Sequence, residues 1–241
     1  MALLLEVEGV SKSFSGLRAV QDVTFAVNEG EILALIGPNG AGKTTCFNVI
    51  AGVYRADAGA VRLAGERIDG RRPDQICRAG VGRTFQLVKP FAGLSVLDNV
   101  VVGALNASRT VGEARKRADE VLDLLGLFAK RGHPAASLTL PERKRLEVAR
   151  ALATGPRILL LDEVMAGLRP TEVDLMVQVL RDLNSLRGIT ILLIEHVMRA
   201  VMSLSLRVIV MHHGQVIAQG TPDEVTRNPA VIESYLGEEA V

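Results

Sequence analysis

The run Gly37-Pro38-Asn39-Gly40-Ala41-Gly42-Lys43-Thr44 constrains the fold more than any other stretch of this chain. It fits G-x-x-x-x-G-K-[ST] at every fixed position. Before it stands Glu31-Ile32-Leu33-Ala34-Leu35-Ile36, an apolar run short enough to be a buried strand. After it, Thr45-Cys46-Phe47-Asn48-Val49-Ile50-Ala51 reads as a helix that Gly52 stops. Strand, glycine loop and helix in that order make a phosphate cradle. The glycines let the backbone curl until consecutive N–H groups point inward, and the helix N-terminus adds partial positive charge. Lys43 is placed to reach β- and γ-phosphates, and the Thr44 hydroxyl to hold Mg²⁺. Gly37, Pro38, Asn39, Gly40, Ala41, Gly42, Lys43, Thr44 and Thr45 are therefore candidate nucleotide-binding residues. The pattern implies a site for a nucleoside triphosphate.

Around this site the chain alternates strands and helices. Leu3 to Val7, Val20 to Val27, Glu31 to Ile36 and Val61 to Leu63 read as short strands. From Val96 to Ala151 helical spacing dominates, with Ala114, Ala118, Val121, Leu122 and Leu125 on one face and Gly126 ending the run. After Gly155-Pro156 the alternation returns, with strands at Ile158 to Leu161, Ile189 to Ile194 and Arg207 to Met211. A helix begins at Thr171 and stops before Gly188, and Thr221-Pro222-Asp223-Glu224 reads as a capping box. The outline is a parallel-sheet core interrupted by a helical insertion.

Composition removes several classes of function. Lys and Arg total 28 against 27 Asp and Glu, a formal net charge of +1, and tryptophan is absent. Such a balance does not suit an electrostatic nucleic-acid binder, so no nucleic-acid partner is expected. Cys46 and Cys77 have neither disulfide-framework nor metal-type spacing. No stretch reaches the ~18 uncharged apolar residues needed to cross a bilayer, and the first residues lack a basic signal-peptide start, so the chain by itself reads as soluble.

A second acidic signal sits at Arg157-Ile158-Leu159-Leu160-Leu161-Asp162-Glu163. In open parallel sheets ligands gather at the carboxyl ends of strands, where Asp162 and Glu163 would lie. Asp162 is a candidate Mg²⁺ ligand, and Glu163 a candidate base for the attacking water; a strand end facing solvent is the plain alternative. Glu195-His196 follows another strand, and an imidazole there is placed to touch a γ-phosphate or simply to face water. Gln86, after Gly82-Arg83-Thr84-Phe85, carries no signal alone.

Taken in order, the glycine loop, Gln86, the helix start from Thr139 to Arg150, Leu161-Asp162-Glu163, Gly167-Leu168 and His196 resemble the ATP-binding subunits of ABC transporters from end to end. The chain looks closest to the branched-chain amino acid importer ATPases, through Phe47-Asn48, Arg83-Thr84-Phe85-Gln86, Leu146 to Ala153, Ala166-Gly167-Leu168 and Ile194-Glu195-His196. The resemblance implies an α/β fold with a P-loop NTPase core, a mostly parallel sheet, an N-terminal antiparallel β subdomain and an inserted helical subdomain. It implies a single ATP-binding domain over 1–241, with the core at about 1–88 and 156–241 and the helical part at about 89–155. It assigns Phe14 to stacking on adenine, although a core phenylalanine at a strand end fits equally. Gln86 would link the metal to the helical lobe as a catalytic and metal-site residue, Glu163 would act as base, and His196 would hold the γ-phosphate and water. Thr139 would contact the nucleotide of a second subunit. The implied cofactors are ATP and Mg²⁺. The implied partners are integral-membrane permease subunits, a second ABC ATPase with a heterodimer favoured, and, indirectly, an external solute-binding protein. The implied location is the cytoplasmic face of the cell membrane, with Val88, Phe91, Leu94 and Val96 near the permease contact.

The chain departs from the family at the lent helix start. Where Leu-Ser-Gly-Gly-Gln is usual, it has Leu138-Thr139-Leu140-Pro141-Glu142. Pro141 offers no N–H to a phosphate oxygen, and Glu142 brings negative charge to a site for an anion. Thr139 with Glu142 also reads as nothing more than a capping box. Arg169 stands where Asp or Asn is common. Two alternatives stay open: the ATPase of a lipid or lipopolysaccharide exporter, and a weakly hydrolysing partner within a heterodimer.

Overall fold

The computed structural model describes residues 2–85 and 90–236. β1 (Leu3–Phe14) and β2 (Leu17–Asn28) form a hairpin, followed by β3 (Ile32–Ile36), α1 (Lys43–Ile50), β4 (Ala58–Leu63) and β5 (Glu66–Arg67). Next come α2 (Pro73–Ala79) and β6 (Val81–Arg83), then three helices in succession: α3 (Val96–Ala104), α4 (Val111–Leu124) and α5 (Leu140–Ala153). β7 (Ile158–Asp162), α6 (Pro170–Arg187), β8 (Thr190–Ile194), α7 (Met198–Leu204), β9 (Arg207–His212) and β10 (Gln215–Gly220) restore the alternation. α8 (Pro222–Thr226) and α9 (Pro229–Leu236) complete the described chain.

Two sheets result among the described residues. One is antiparallel in the order β2-β1-β4-β5, and the other runs β10-β9-β3-β8-β7-β6. In the second, β9, β3, β8, β7 and β6 are parallel and only β10 is antiparallel. The α/β class with a mostly parallel sheet, an N-terminal antiparallel sheet and an inserted helical part is therefore what the chain adopts. β3, β7 and β8 are buried at every residue, as central parallel strands covered on both faces should be.

Alternation along those strands divides the core. Ile32, Ala34 and Ile36 pack with Leu159, Leu161 and Leu193 toward α6 and the inserted helices. Leu33 and Leu35 pack with Ile158, Leu160 and Leu192 toward α1 and the antiparallel sheet. On α4, Ala114, Ala118, Val121 and Leu122 are buried, and Gly126 takes φ +64 just beyond it. A left-handed glycine there ends the helix without the steric cost a side chain would carry.

The hairpin is longer than the apolar runs suggest. Ser15 and Gly16 have φ of 46° and 92°, and Phe14 pairs with Leu17 across them. Two central residues with positive φ make the tight turn whose twist suits a hairpin. β10 and α7 are further elements that the apolar runs do not reveal. Val96 is a correction: it is fully buried in the core at the start of α3 and so cannot belong to a docking surface. Phe91 and Leu94 remain exposed, whereas Val88 lies outside the described residues. Among the described residues, no helix is long and apolar enough to cross a membrane.

Candidate nucleotide site

The glycine loop joins β3 to α1 and is wedged between two backbones. Gly37 has φ +145, and a Cβ there would lie 2.0 Å from the Met211 carbonyl oxygen. At Gly42, φ is +97 and a Cβ would lie 2.2 Å from the Ala19 oxygen. The β9–β10 turn closes on the loop as Gly214 N–H donates to the Ala41 carbonyl at 3.0 Å. Gly42 is the N-cap of α1 and has no side chain to cap it, and the first turn holds no acidic residue. The first N–H groups of α1 are thus left for an anion. Lys43 is buried, with Nζ donating to the carbonyls of Gly37 at 2.6 Å and Pro38 at 2.7 Å.

β7 ends at Asp162, which is 1% exposed. Its N–H donates to Thr84 Oγ1 at 3.0 Å, yet neither carboxylate oxygen has a hydrogen-bond partner among the described residues. Arg83 Nη2 is 3.6 Å from Oδ2, and Arg83 also donates to Asn48 at 2.6 Å. Burial pushes the Asp162 carboxyl above its ordinary range, Arg83 opposes that shift, and Glu163 adds to it. A buried carboxylate with two open oxygens beside a second acid fits a hydrated divalent cation. Among the described residues, no three His, Cys, Asp or Glu side chains cluster as a metal cage. Mg²⁺ is typically held by one or two protein oxygens together with substrate phosphates and water.

Glu163 sits in the left-handed region at φ +51. For a side chain of this size such a conformation costs of the order of 1–3 kcal/mol, so the surroundings must enforce it. Its N–H donates to Ile194 O at 2.9 Å. Its carboxylate lies against His196, whose Nε2 is 2.8 Å from Oε1. The strand-end reading names both residues but not the hydrogen bond between them.

Glu163 and His196 face the loop from Asn39 to Thr45 across a cleft of about 600 Å³. Gly37 and Pro38 lie behind this wall as acceptors for Lys43. Phe14 borders the cleft and is not a core residue, since it is 38% exposed. Its ring stands edge-on to Tyr54 with centroids 5.0 Å apart. Replacing Phe14 by Ala should raise the dissociation constant of a fluorescent ATP analogue by about three- to tenfold, the loss of one stacking contact. An unchanged constant would take Phe14 out of the site.

Gln86 lies outside the described residues. Thr139 is not part of this cleft. It is exposed at the start of α5, where its N–H donates to Glu142 Oε2 at 3.0 Å. Lys130 Nζ takes the other oxygen of Glu142 at 2.5 Å. Burial alone would raise the Glu142 carboxyl, but Lys130 and Thr139 hold it below the usual carboxylate range. The added negative charge at this helix start is therefore met by a lysine. Arg169 is exposed at the start of α6, where its N–H donates to Glu172 Oε2 at 2.7 Å and its carbonyl accepts from the Glu172 N–H at 2.9 Å.

Arg83 and Glu195 stand inside sequence motifs, but the motifs assign neither side chain a role. Glu195 is 1% exposed and accepts the Met165 N–H at 2.9 Å. Burial pushes its carboxyl from 4.5 to about 7. The folded chain keeps this proton up to about pH 7, whereas the unfolded chain loses it near 4.5. Stability present below pH 4.5 is therefore lost as the pH rises to 7, by of the order of 3 kcal/mol. Glu195→Gln should flatten that decline and raise the melting temperature at pH 8. An identical pH dependence in the variant would show that Glu195 does not carry it.

Residues 20–166 match the family described as ABC transporter, and residues 215–241 match the branched-chain amino acid ATP-binding cassette transporter family. The chain is 40% identical over 250 residues to the high-affinity branched-chain amino acid transport ATP-binding protein BraF of Pseudomonas aeruginosa, covering 98% of both chains. It is 41% identical to LivG of Salmonella typhimurium, a protein of the same description, again over 98% of both. A crystal structure of the ADP conformation of an ATP-binding cassette from an ABC transporter superposes with a TM-score of 0.90 at 31% identity, covering 98% of this chain and 100% of that one. A dimeric cassette bound to ADP and phosphate superposes with a TM-score of 0.82 at 25% identity, covering 91% and 99%.

Proposed function

The chain belongs to the ABC transporter ATP-binding family, and on that premise we propose that it hydrolyses ATP to power an importer of branched-chain amino acids. One observation carries this reading: the glycine cradle and the Glu163–His196 pair face a single cleft at the carboxyl edge of the parallel sheet. Ligands in open α/β sheets collect at that edge.

We assign the residue roles from the family resemblance and the geometry of the cleft. Lys43 exchanges its carbonyl partners for the β- and γ-phosphates, and the loop N–H groups take the remaining oxygens. Phe14 covers the base. Thr44 and Asp162, with Gln86 as the family resemblance implies, would hold Mg²⁺, which would supply charge neutralisation of the phosphate tail. Glu163 accepts a proton from the attacking water at its carboxylate, and the His196 imidazole fixes that carboxylate by bonding Oε1. Arg83, 3.6 Å from Asp162, limits by its charge the cost of burying the acid.

The whole chain acts as one ATP-binding unit, with the core at about 1–88 and 156–241 and the helical lobe at about 89–155. Two ATPases close over two nucleotides, each lending the start of α5 to the other. Because Pro141 has no N–H to give there, we assign a heterodimer with a sister ATPase. Integral-membrane permease subunits dock at the groove of about 250 Å³ between α2, α3 and α5, where Phe85 and Val102 are exposed beside Arg83 and Arg150. This puts the chain at the cytoplasmic face of the membrane, with an external binding protein delivering the solute.

The test is co-expression with the permease subunits and sister ATPase, then reconstitution in vesicles with the binding protein. ATP-dependent accumulation of leucine, isoleucine or valine is expected. ATP hydrolysis coupled only to lipid movement would transfer the chain to the exporter class.

A further inference from the structure

The turn after β7 is pinned from two directions by buried ionisable side chains to which the motifs assign no role. Lys144 lies on α5, one turn beyond the Thr139 helix start, and is 5% exposed. Its Nζ donates to the backbone oxygen of Glu163 at 2.7 Å. From the opposite element, Glu195 just beyond β8 accepts the Met165 N–H at 2.9 Å, and its second oxygen has no hydrogen-bond partner among the described residues. Within the turn, Ala166 N–H also donates to the Glu163 oxygen, at 3.2 Å. The peptide that carries the strained φ of Glu163 is thus held by one residue of the inserted lobe and by the immediate neighbour of His196.

Such contacts are expensive if they serve packing alone. A lysine stem ending in a buried ammonium, and a buried carboxyl group with one oxygen lacking a partner among the described residues, each forgo hydration that an apolar side chain would never need. What they have in common is the same four-residue turn, and its first residue is Glu163.

We propose that Lys144 and Glu195 are positioning residues for hydrolysis: Glu195 fixes the turn, and Lys144 ties the Glu163 backbone to α5. The attitude of the inserted lobe then sets where the Glu163 carboxylate points. Because α5 also carries the start lent to the other nucleotide, the same lysine links occupancy of one site to readiness of the other. This rests on the reading of Glu163 as the base.

The experiment uses the assembled transporter. Lys144→Met and Glu195→Leu keep volume but remove the hydrogen bonds. Each should lower kcat by about ten- to a hundredfold, the usual cost of misplacing a catalytic group, with the KM for ATP and the affinity for a fluorescent ATP analogue within about twofold. Lys144→Arg and Glu195→Gln, which keep a donor and an acceptor, should retain most of the turnover. In single-turnover assays, adding Lys144→Met to Glu163→Gln should cause no further loss, because both act through one group. If either single variant fails to assemble, the other yields the same readout. Unchanged kcat, or kcat and nucleotide affinity falling together, overturns the positioning role. Should Glu163→Gln itself keep full turnover, the base reading fails instead, and the two failures are told apart.

Discussion

Glu163→Gln in the assembled transporter is expected to lower the rate of ATP hydrolysis by about 10²–10⁴-fold, the range a positioned general base supplies. Affinity for Mg·ATP should stay within about threefold, since Lys43, Thr44 and Asp162 are untouched. The amide preserves the shape of the side chain and still offers His196 an acceptor oxygen, so the geometry of the 2.8 Å contact survives. What it loses is the capacity to take a proton from water. Steady-state turnover and equilibrium binding of a nonhydrolysable analogue, measured together, separate the two effects. Turnover equal to that of the unmodified protein would remove Glu163 from catalysis.

A larger structural loss is expected from Gly42→Ala. The new Cβ would meet the Ala19 oxygen at 2.2 Å while the residue holds φ +97, so both the contact and the conformation oppose it. Ala19 belongs to the sheet backbone and cannot swing aside. We expect destabilisation of about 3 kcal/mol or more, which for a domain of this size lowers the melting temperature by roughly 6–12 °C, together with loss of nucleotide binding. Gly40→Ala is the internal control. Its φ of +76 is also left-handed, but among the described residues nothing lies within 4 Å of the added methyl, so the cost should be only about 1–2 kcal/mol. Calorimetry of the two variants decides between steric clash and simple loss of glycine flexibility. Equal melting temperatures would show that the wedge against Ala19 is unimportant.

Much of this architecture is legible in the residues because the central strands are mainly apolar runs, each preceded within three residues by a glycine. Ile32–Ile36, Ile158–Asp162 and Thr190–Ile194 declare themselves as buried strands, and the loop after the first of them announces an anion site. The hairpin end at Ser15-Gly16 is harder to see, because its flanking strand residues are half-exposed and mixed in polarity. Val96 misleads for a different reason: a valine in a Gly- and Pro-containing stretch resembles a surface loop until α3 folds it inward. Arg83, Lys144 and Glu195 are silent in sequence because their roles depend on partners 19 to 79 positions away: Asp162, the Glu163 carbonyl and the Met165 N–H. No local pattern encodes those distances. Glu142 is the instructive intermediate, since its charge is visible but the neutralising Lys130 comes from a preceding 3₁₀ turn.

The most direct test is a crystal structure of the assembled ATPase pair soaked with Mg²⁺ and a nonhydrolysable ATP analogue. Lys43 should have left the carbonyls of Gly37 and Pro38 for the β- and γ-phosphates. The metal should lie between Thr44 and Asp162, and Glu163 should be within one water of the terminal phosphorus. An analogue bound away from the glycine loop, or Glu163 pointing out of the cleft with the nucleotide in place, would contradict the account.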